Sequence, residues 1–137
     1  MKYEIADHLN KSSRQNQGSF YTPKKLALKM AKMLKLKSKC KVLDPCCGKG
    51  NLFVAVLEIY DFISNEDLYG VDIDPEAIRF CIEKFPGGNF QVGNVLEDDI
   101  TDDRFWQKDP FAKFDPTKRL KSGFPFGGEF ISDKEIK

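Results

Sequence analysis

The sequence predicts an α/β domain built on a parallel sheet, and three observations carry the prediction. A strand, glycine turn and helix follow one another over residues 41–60. A second strand at 68–73 leads into a helix with a capped start at 74–76, and a third strand-like run follows at 89–92. The order β-α-β-α-β calls for crossover connections, which place consecutive strands parallel. With three clear strands, the sheet reads as incomplete.

Residues 1–19 show no period and are rich in Ser, Asn, Gln and Lys, the composition of a mobile arm or an isolated short helix. Thr22-Pro23 then signals a helix start. The threonine hydroxyl can accept an orphan N–H, and proline at the first helical position gives up a donor the helix does not need. The helix is expected over about 23–36, with Leu26, Met30, Met33 and Leu34 as its apolar face and Lys24, Lys25, Lys29, Lys32 and Lys35 outward. Lys41-Val42-Leu43-Asp44 is a short strand running into Pro45-Cys46-Cys47-Gly48-Lys49-Gly50, after which Asn51 to Tyr60 reads as a mostly buried helix. Leu68 to Ile73 forms the second strand, and Asp74-Pro75-Glu76 supplies an N-cap, an N1 proline and a first-turn acid for a helix running to about Phe85. Pro86-Gly87-Gly88 breaks that helix, Asn89-Phe90-Gln91-Val92 alternates as the third strand, and Gly93-Asn94-Val95-Leu96 turns away from its end. After Asp99, Pro110, Pro116 and Pro125, with glycines at 123, 127 and 128, leave no strand-like run among Phe105, Trp106, Phe111, Phe114, Phe124, Phe126 and Phe130. This stretch either packs over the sheet as irregular structure or meets another surface. The expected divisions are an arm and first helix at 1–38, a βαβαβ core at 39–99 and an aromatic tail at 100–137.

A chain of 137 residues that is 41% hydrophobic, 31% charged and 12% aromatic suits one compact domain rather than a disordered or disulfide-scaffold protein. No apolar run approaches the roughly 18 residues of a membrane helix, and the first residues lack a signal-peptide stretch, so a cytosolic location without a membrane partner is expected. Cysteines at 40, 46, 47 and 81 form no C-x-x-C pair, and the lone His8 lies far from them, so no metal site is expected. Triad chemistry lacks its signatures as well. The net charge of +1 hides an asymmetry: residues 1–39 carry ten Lys/Arg against two acids, and residues 40–99 carry four against twelve. The cationic front would attract a polyanion such as nucleic acid, although a lysine-rich helix face is also an ordinary solvated surface.

In a parallel α/β sheet ligands bind beyond the carboxyl ends of the strands. Three loops leave those ends. The first, Asp44 to Gly50, uses glycines to admit a ligand close to the backbone and to open a helix. The second carries Asp72, twenty-two positions after Gly50 and suited to a ribose diol. The third presents Asn94. Together they describe an adenosine-containing cofactor. A dinucleotide fingerprint would need a third glycine where Phe53 stands, and the Walker pattern fails around Gly48-Lys49, so phosphate binding loses ground. Asp44 ahead of the glycines would repel a pyrophosphate but suits an ammonium or sulfonium group, which favours S-adenosylmethionine.

Over residues 18 to about 99 the chain resembles the adenine-N6 DNA methyltransferases, as found in type I restriction-modification methylase subunits. Gly18-Ser19-Phe20-Tyr21-Thr22-Pro23 matches the motif before the first core helix, and Asp44-Pro45-Cys46-Cys47-Gly48-Lys49-Gly50 the glycine-rich motif. Gly70-Val71-Asp72-Ile73-Asp74-Pro75 resembles the ribose-binding strand end, and Gly93-Asn94-Val95-Leu96 the adenine-binding loop. The resemblance implies a Rossmann-like S-adenosylmethionine-dependent methyltransferase fold, DNA as partner and methyl transfer to adenine N6. It also implies roles for single residues. Phe20, Tyr21 and Thr22 would flank the methionine part of the cofactor, Asp44 would hold its amino group with Pro45, Cys46, Gly48 and Gly50 forming the loop, and Asp72 would take the ribose hydroxyls. Ile73 would pack on the adenine, Val95 would belong to the adenine-binding loop, and Asn94, where the family has Asp, would accept from the adenine amine through an amide carbonyl. Cys47 reads as a small apolar filler rather than a nucleophile.

The family's catalytic motif, Asn or Asp followed by Pro-Pro and an aromatic, is not in this sequence, so the catalytic residues are unknown. Asp109-Pro110-Phe111 lacks the second proline, and Phe124-Pro125-Phe126 lacks the polar acceptor. In the family's strand order the strand at 41–44 lies mid-sheet, and its other neighbour carries that motif. An open side at Val42-Leu43 invites a second methylase chain, a specificity chain or another copy, unless the tail covers it. Two further readings stand beside the methyltransferase: a non-catalytic regulatory or split-enzyme module, and a nucleotide-binding oxidoreductase domain, which Phe53 disfavours.

Overall fold

Three strands pair in parallel in the order β1-β2-β3, where β1 is Val42–Asp44, β2 is Leu68–Asp72 and β3 is Asn89–Val92. The computed structural model describes residues 2–4 and 22–117. Expectations for Phe20, Tyr21, His8 and the aromatics beyond Thr117 fall outside these residues. Three helices accompany the sheet: α1 over Lys24–Met33, α2 over Asn51–Ile59 and α3 over Pro75–Lys84. The strand and helix order is the expected one, and the open parallel sheet is Rossmann-like. No helix among the described residues is long and apolar enough to cross a membrane.

The pleat divides the core in two. Leu68, Phe90 and the partly buried Val42 face the helices, joining Phe53, Val56, Ile78, Cys81 and Phe85 in the larger apolar cluster. Phe53 meets both Phe85 and Phe90 edge to face at centroid distances of 6.0 and 5.9 Å. On the opposite face Val71 packs with Phe105 and Phe114, Tyr69 meets Trp106 at 5.1 Å, and the Gln91 amide donates to the carbonyls of Trp106 and Lys108. The tail as far as Thr117 thus packs over the sheet as irregular structure, nucleated by a 3₁₀ turn at Asp103–Gln107.

The first helix differs from its expectation at both ends and on its face. Pro23, not Thr22, is the N-cap: its backbone is extended, its carbonyl accepts the Ala27 N–H at 2.8 Å, and no side chain caps the helix. Thr22 therefore sits one position too early for its hydroxyl to reach the orphan donors. The helix stops at Met33 rather than near 36, because Lys35 adopts a left-handed backbone (φ 50°). Its buried face is Ala27 and Ala31, not the larger apolar residues; Leu26, Met30, Met33 and Leu34 are exposed, Met33 by 71%. The alanines let α1 lie close against α2, and the Tyr60 hydroxyl donates to the Ala31 carbonyl at 2.7 Å across that contact. The five lysines do point to solvent.

The exposed side chains have a location. Met30 and Leu34 line a groove with Val42, Leu43, Leu52 and Val56, beside the edge of β1. Among the described residues β1 pairs on one side only. The other end of the sheet is covered at Val92, whose N–H donates to the Pro110 carbonyl at 2.8 Å and whose carbonyl accepts from Lys108 Nζ at 3.1 Å. Asp109-Pro110-Phe111 therefore lies along β3, away from the open edge of β1. At the front, residues 2–4 are tied down rather than mobile. Tyr3 donates to Glu58 at 2.7 Å, and Lys84 Nζ reaches the Lys2 carbonyl.

Candidate functional site

Parallel register places the carboxyl ends of β1 and β2 side by side, Asp44 opposite Gly70 and Asp72 opposite Val92. The loop after β1 is held by acceptors belonging to the protein itself. Asp44 Oδ1 accepts the Cys46 N–H at 3.1 Å, the Val71 carbonyl accepts that of Cys47 at 2.9 Å, Asp72 Oδ2 accepts that of Gly48 at 2.9 Å and the Cys47 carbonyl accepts that of Gly50 at 2.9 Å. These amides are consumed inward, so the loop offers two carboxylates to a ligand instead of the ring of N–H donors a phosphate needs. Gly50 (φ 86°) makes the turn into α2.

The cleft in front of this loop is lined by Thr22, Asp44, Cys46, Cys47, Gly48, Lys49, Asn51 and Leu52. Burial, reinforced by the nearby charge of Asp72 and partly offset by the Cys46 amide, holds the Asp44 carboxyl above its ordinary value of 3.8. Burial also raises the Cys46 thiol, with Asp44 and Asp72 adding to the effect. Cys47 is raised mainly through its hydrogen bond with Cys81 and then by burial. Neither thiol is a ready thiolate, which agrees with a packing role for Cys47.

An acid with a raised folded-state pKa favours the fold fully below its unfolded value and loses that contribution as pH rises through the folded value. At pH 7 the ionised Asp44 is therefore a stability cost. Asp44→Asn, which keeps an acceptor for Cys46, should raise the Tm at pH 7 by a few degrees at most. The gain should vanish below pH 3.8. Thermal melts at the two pH values check this, and an equal gain at both would show that charge is not the cause.

Asp72 holds more than a strand end. Its second oxygen accepts the Asp74 N–H at 2.9 Å, while Asp74 caps α3 by accepting from Glu76 at 3.0 Å, as expected. Ile73 beside it is 69% exposed. In the third loop Gly93 N–H donates to the Asp72 carbonyl at 3.0 Å, which brings Asn94 and Val95 alongside β2. Asn94 Oδ1 accepts the Leu96 N–H at 3.0 Å, and its own N–H donates to Asp98 at 2.8 Å. The structure thus gathers Thr22, Asp44, Pro45, Cys46, Gly48 and Gly50 around one loop, with Asp72, Ile73, Asn94 and Val95 at the adjacent strand ends. The sequence reading does not single out Asn51 and Leu52. Asn51 is detectable as the polar residue that opens a helix whose next six residues, Leu52 to Leu57, are all apolar.

Comparison with known proteins adds family information. A sequence model of the N-6 DNA methylase family matches residues 3–114. The chain is 32% identical over 90 residues to the type I restriction enzyme MjaIX methylase subunit of Methanocaldococcus jannaschii, covering 60% of this chain and 16% of that protein. It is 36% identical over 74 residues to the type II methyltransferase M.VspI of Vibrio sp., covering 53% and 18% respectively. A TehB-like S-adenosylmethionine-dependent methyltransferase from Corynebacterium glutamicum aligns at TM-score 0.44 and 23% identity, over 55% of this chain and 38% of that one. The chain thus spans less than a fifth of the length of either curated relative.

Proposed function

We propose, on the premise that the chain belongs to the N-6 DNA methylase family, that it is the S-adenosylmethionine-binding part of an enzyme that methylates adenine N6 in DNA. The observation carrying this reading is the loop whose amides are turned inward while Asp44 and Asp72 remain at neighbouring strand ends. Such a carboxylate-bearing site, with the Cys46, Cys47, Gly48 and Gly50 amides engaged within the protein, fits a ligand that combines a cationic amino acid with a ribose. When bound, the cofactor supplies an electrophilic methyl group. Asp44 faces its ammonium group, Asp72 accepts from its ribose hydroxyls, and Ile73 and Val95 offer apolar surface to its adenine, with Asn94 at the amine. Cys46, Gly48 and Gly50 shape the floor, and Thr22 stands at the methionine end.

The groove beside β1 supports the second half of the proposal. Another strand, from the remainder of the methylase or from a partner subunit, pairs there and brings the acceptors that polarise the flipped adenine. The enzyme acts in the cytosol on DNA. Calorimetric titration tests the cofactor assignment: S-adenosylmethionine and S-adenosylhomocysteine should bind one to one and NAD should give no heat. Absence of binding by the first two would sink the reading. Methyl transfer to DNA by the purified chain alone would overturn the need for a completing strand.

The exposed lysines of α1 supply non-specific attraction to the DNA backbone. Changing two of Lys25, Lys29 and Lys32 to Glu should reduce the slope of log affinity against log salt by about 2. A salt-independent interaction would return this helix face to plain solvated surface.

A further inference from the structure

Asn51 opens α2 directly after Gly50, and it is 5% exposed. Its carboxamide is fully engaged, but not with its own helix. Oδ1 accepts the Glu4 N–H at 2.7 Å, while Nδ2 donates to the Glu4 carbonyl and to the Thr22 carbonyl, both at 2.8 Å. Toward Glu4 the side chain behaves like the backbone of a neighbouring strand, giving and taking one bond each. Both ends of the segment between residues 4 and 22 therefore meet at one side chain. Thr22 lines the same cleft as Asp44 and Gly48, whereas Asp72 belongs to the next strand end.

We infer that Asn51 is a positioning residue: by holding the backbone of Glu4 and of Thr22 it fixes Thr22 at the Asp44 cleft, and so governs affinity for the amino-acid end of the cofactor and not for its nucleoside. This rests on the cofactor assignment above. Neighbouring residue types cannot substitute. Aspartate lacks both donated bonds, glutamine carries its amide one methylene too far, and alanine leaves the Glu4 and Thr22 groups without their partner.

Two ligands separate the ends. S-adenosylhomocysteine carries the amino acid, and methylthioadenosine carries the same nucleoside without it. Asn51→Ala and Asn51→Asp should weaken the first by about tenfold or more while leaving the second within about twofold of wild type. Glu4→Pro removes the arm's N–H to Oδ1 together with the carboxylate 3.8 Å from Lys84 Nζ, which Glu4→Ala removes by itself as the control, and leaves α2 untouched. It should shift the two ligands in the same selective way, and it decides the matter where an Asn51 variant fails to fold. Equal weakening of both ligands, or no change in either, by a folded variant overturns the positioning role. A wild-type chain that binds methylthioadenosine and S-adenosylhomocysteine leaves the cofactor reading standing in that case; one that binds neither removes both readings together.

Discussion

Asp72→Ala should weaken binding of S-adenosylmethionine by at least about hundredfold, the roughly 3 kcal/mol carried by two charge-assisted hydrogen bonds. The effect is large because one carboxylate does two things. Its oxygens accept from Gly48 and Asp74 within the protein, each at 2.9 Å, and keep lone pairs for a ribose diol. On the proposed reading, losing it would remove the ligand contact and release the glycine loop at the same time. A ligand without the diol separates the parts. If Asp72 holds ribose, the penalty of the substitution should shrink for a 2′,3′-dideoxy analogue of methylthioadenosine. An undiminished penalty would assign Asp72 to the loop alone, and equal affinities of wild type and variant would remove it from the site.

Gly50→Ala should destabilise the fold by about 2–4 kcal/mol, a fall in Tm on the order of 15 °C. Two costs combine. The backbone at φ 86° is left-handed, and a Cβ there would stand 2.5 Å from Phe85 Cε2 and 3.4 Å from Cys81 Sγ. Phe85 is fully buried between Phe53 and Phe90, so its ring has nowhere to retreat. Gly87 provides the control, since it has a similar φ of 88° with open space around the missing Cβ. Gly87→Ala should cost only the backbone part, about 1 kcal/mol. Denaturant melts of both variants report the difference, and equal losses would mean that Phe85 moves freely.

The βαβαβ order was legible because each boundary carries local chemistry: Asp74-Pro75 at a helix start, Pro86-Gly87-Gly88 at its end, alternation in 89–92. The face of α1 was not legible. Periodicity selected the larger side chains, yet the contact with α2 demands small ones, and two of the larger ones, Met30 and Leu34, border a groove at the edge of the described sheet. A hydropathy pattern records which residues are apolar, not which neighbour they await. The site divides in the same way. Asp44 and Asp72 announce themselves by their place at the carboxyl ends of strands, whereas the hold of Asn51 on Glu4 joins residues 47 positions apart and leaves no spacing to read.

The two sides of the sheet are treated unequally, and that fixes the symmetry open to the chain. Val92 is shielded by Pro110 and Lys108, while β1 is bare among the described residues. Two copies meeting through β1 would form a two-fold pair with antiparallel strands, and such a pair closes on itself. Growth by head-to-tail stacking would need a bare side on β3 as well. Among the described residues, edge association would therefore saturate at one neighbour, and a second copy would compete directly with the completing strand proposed above.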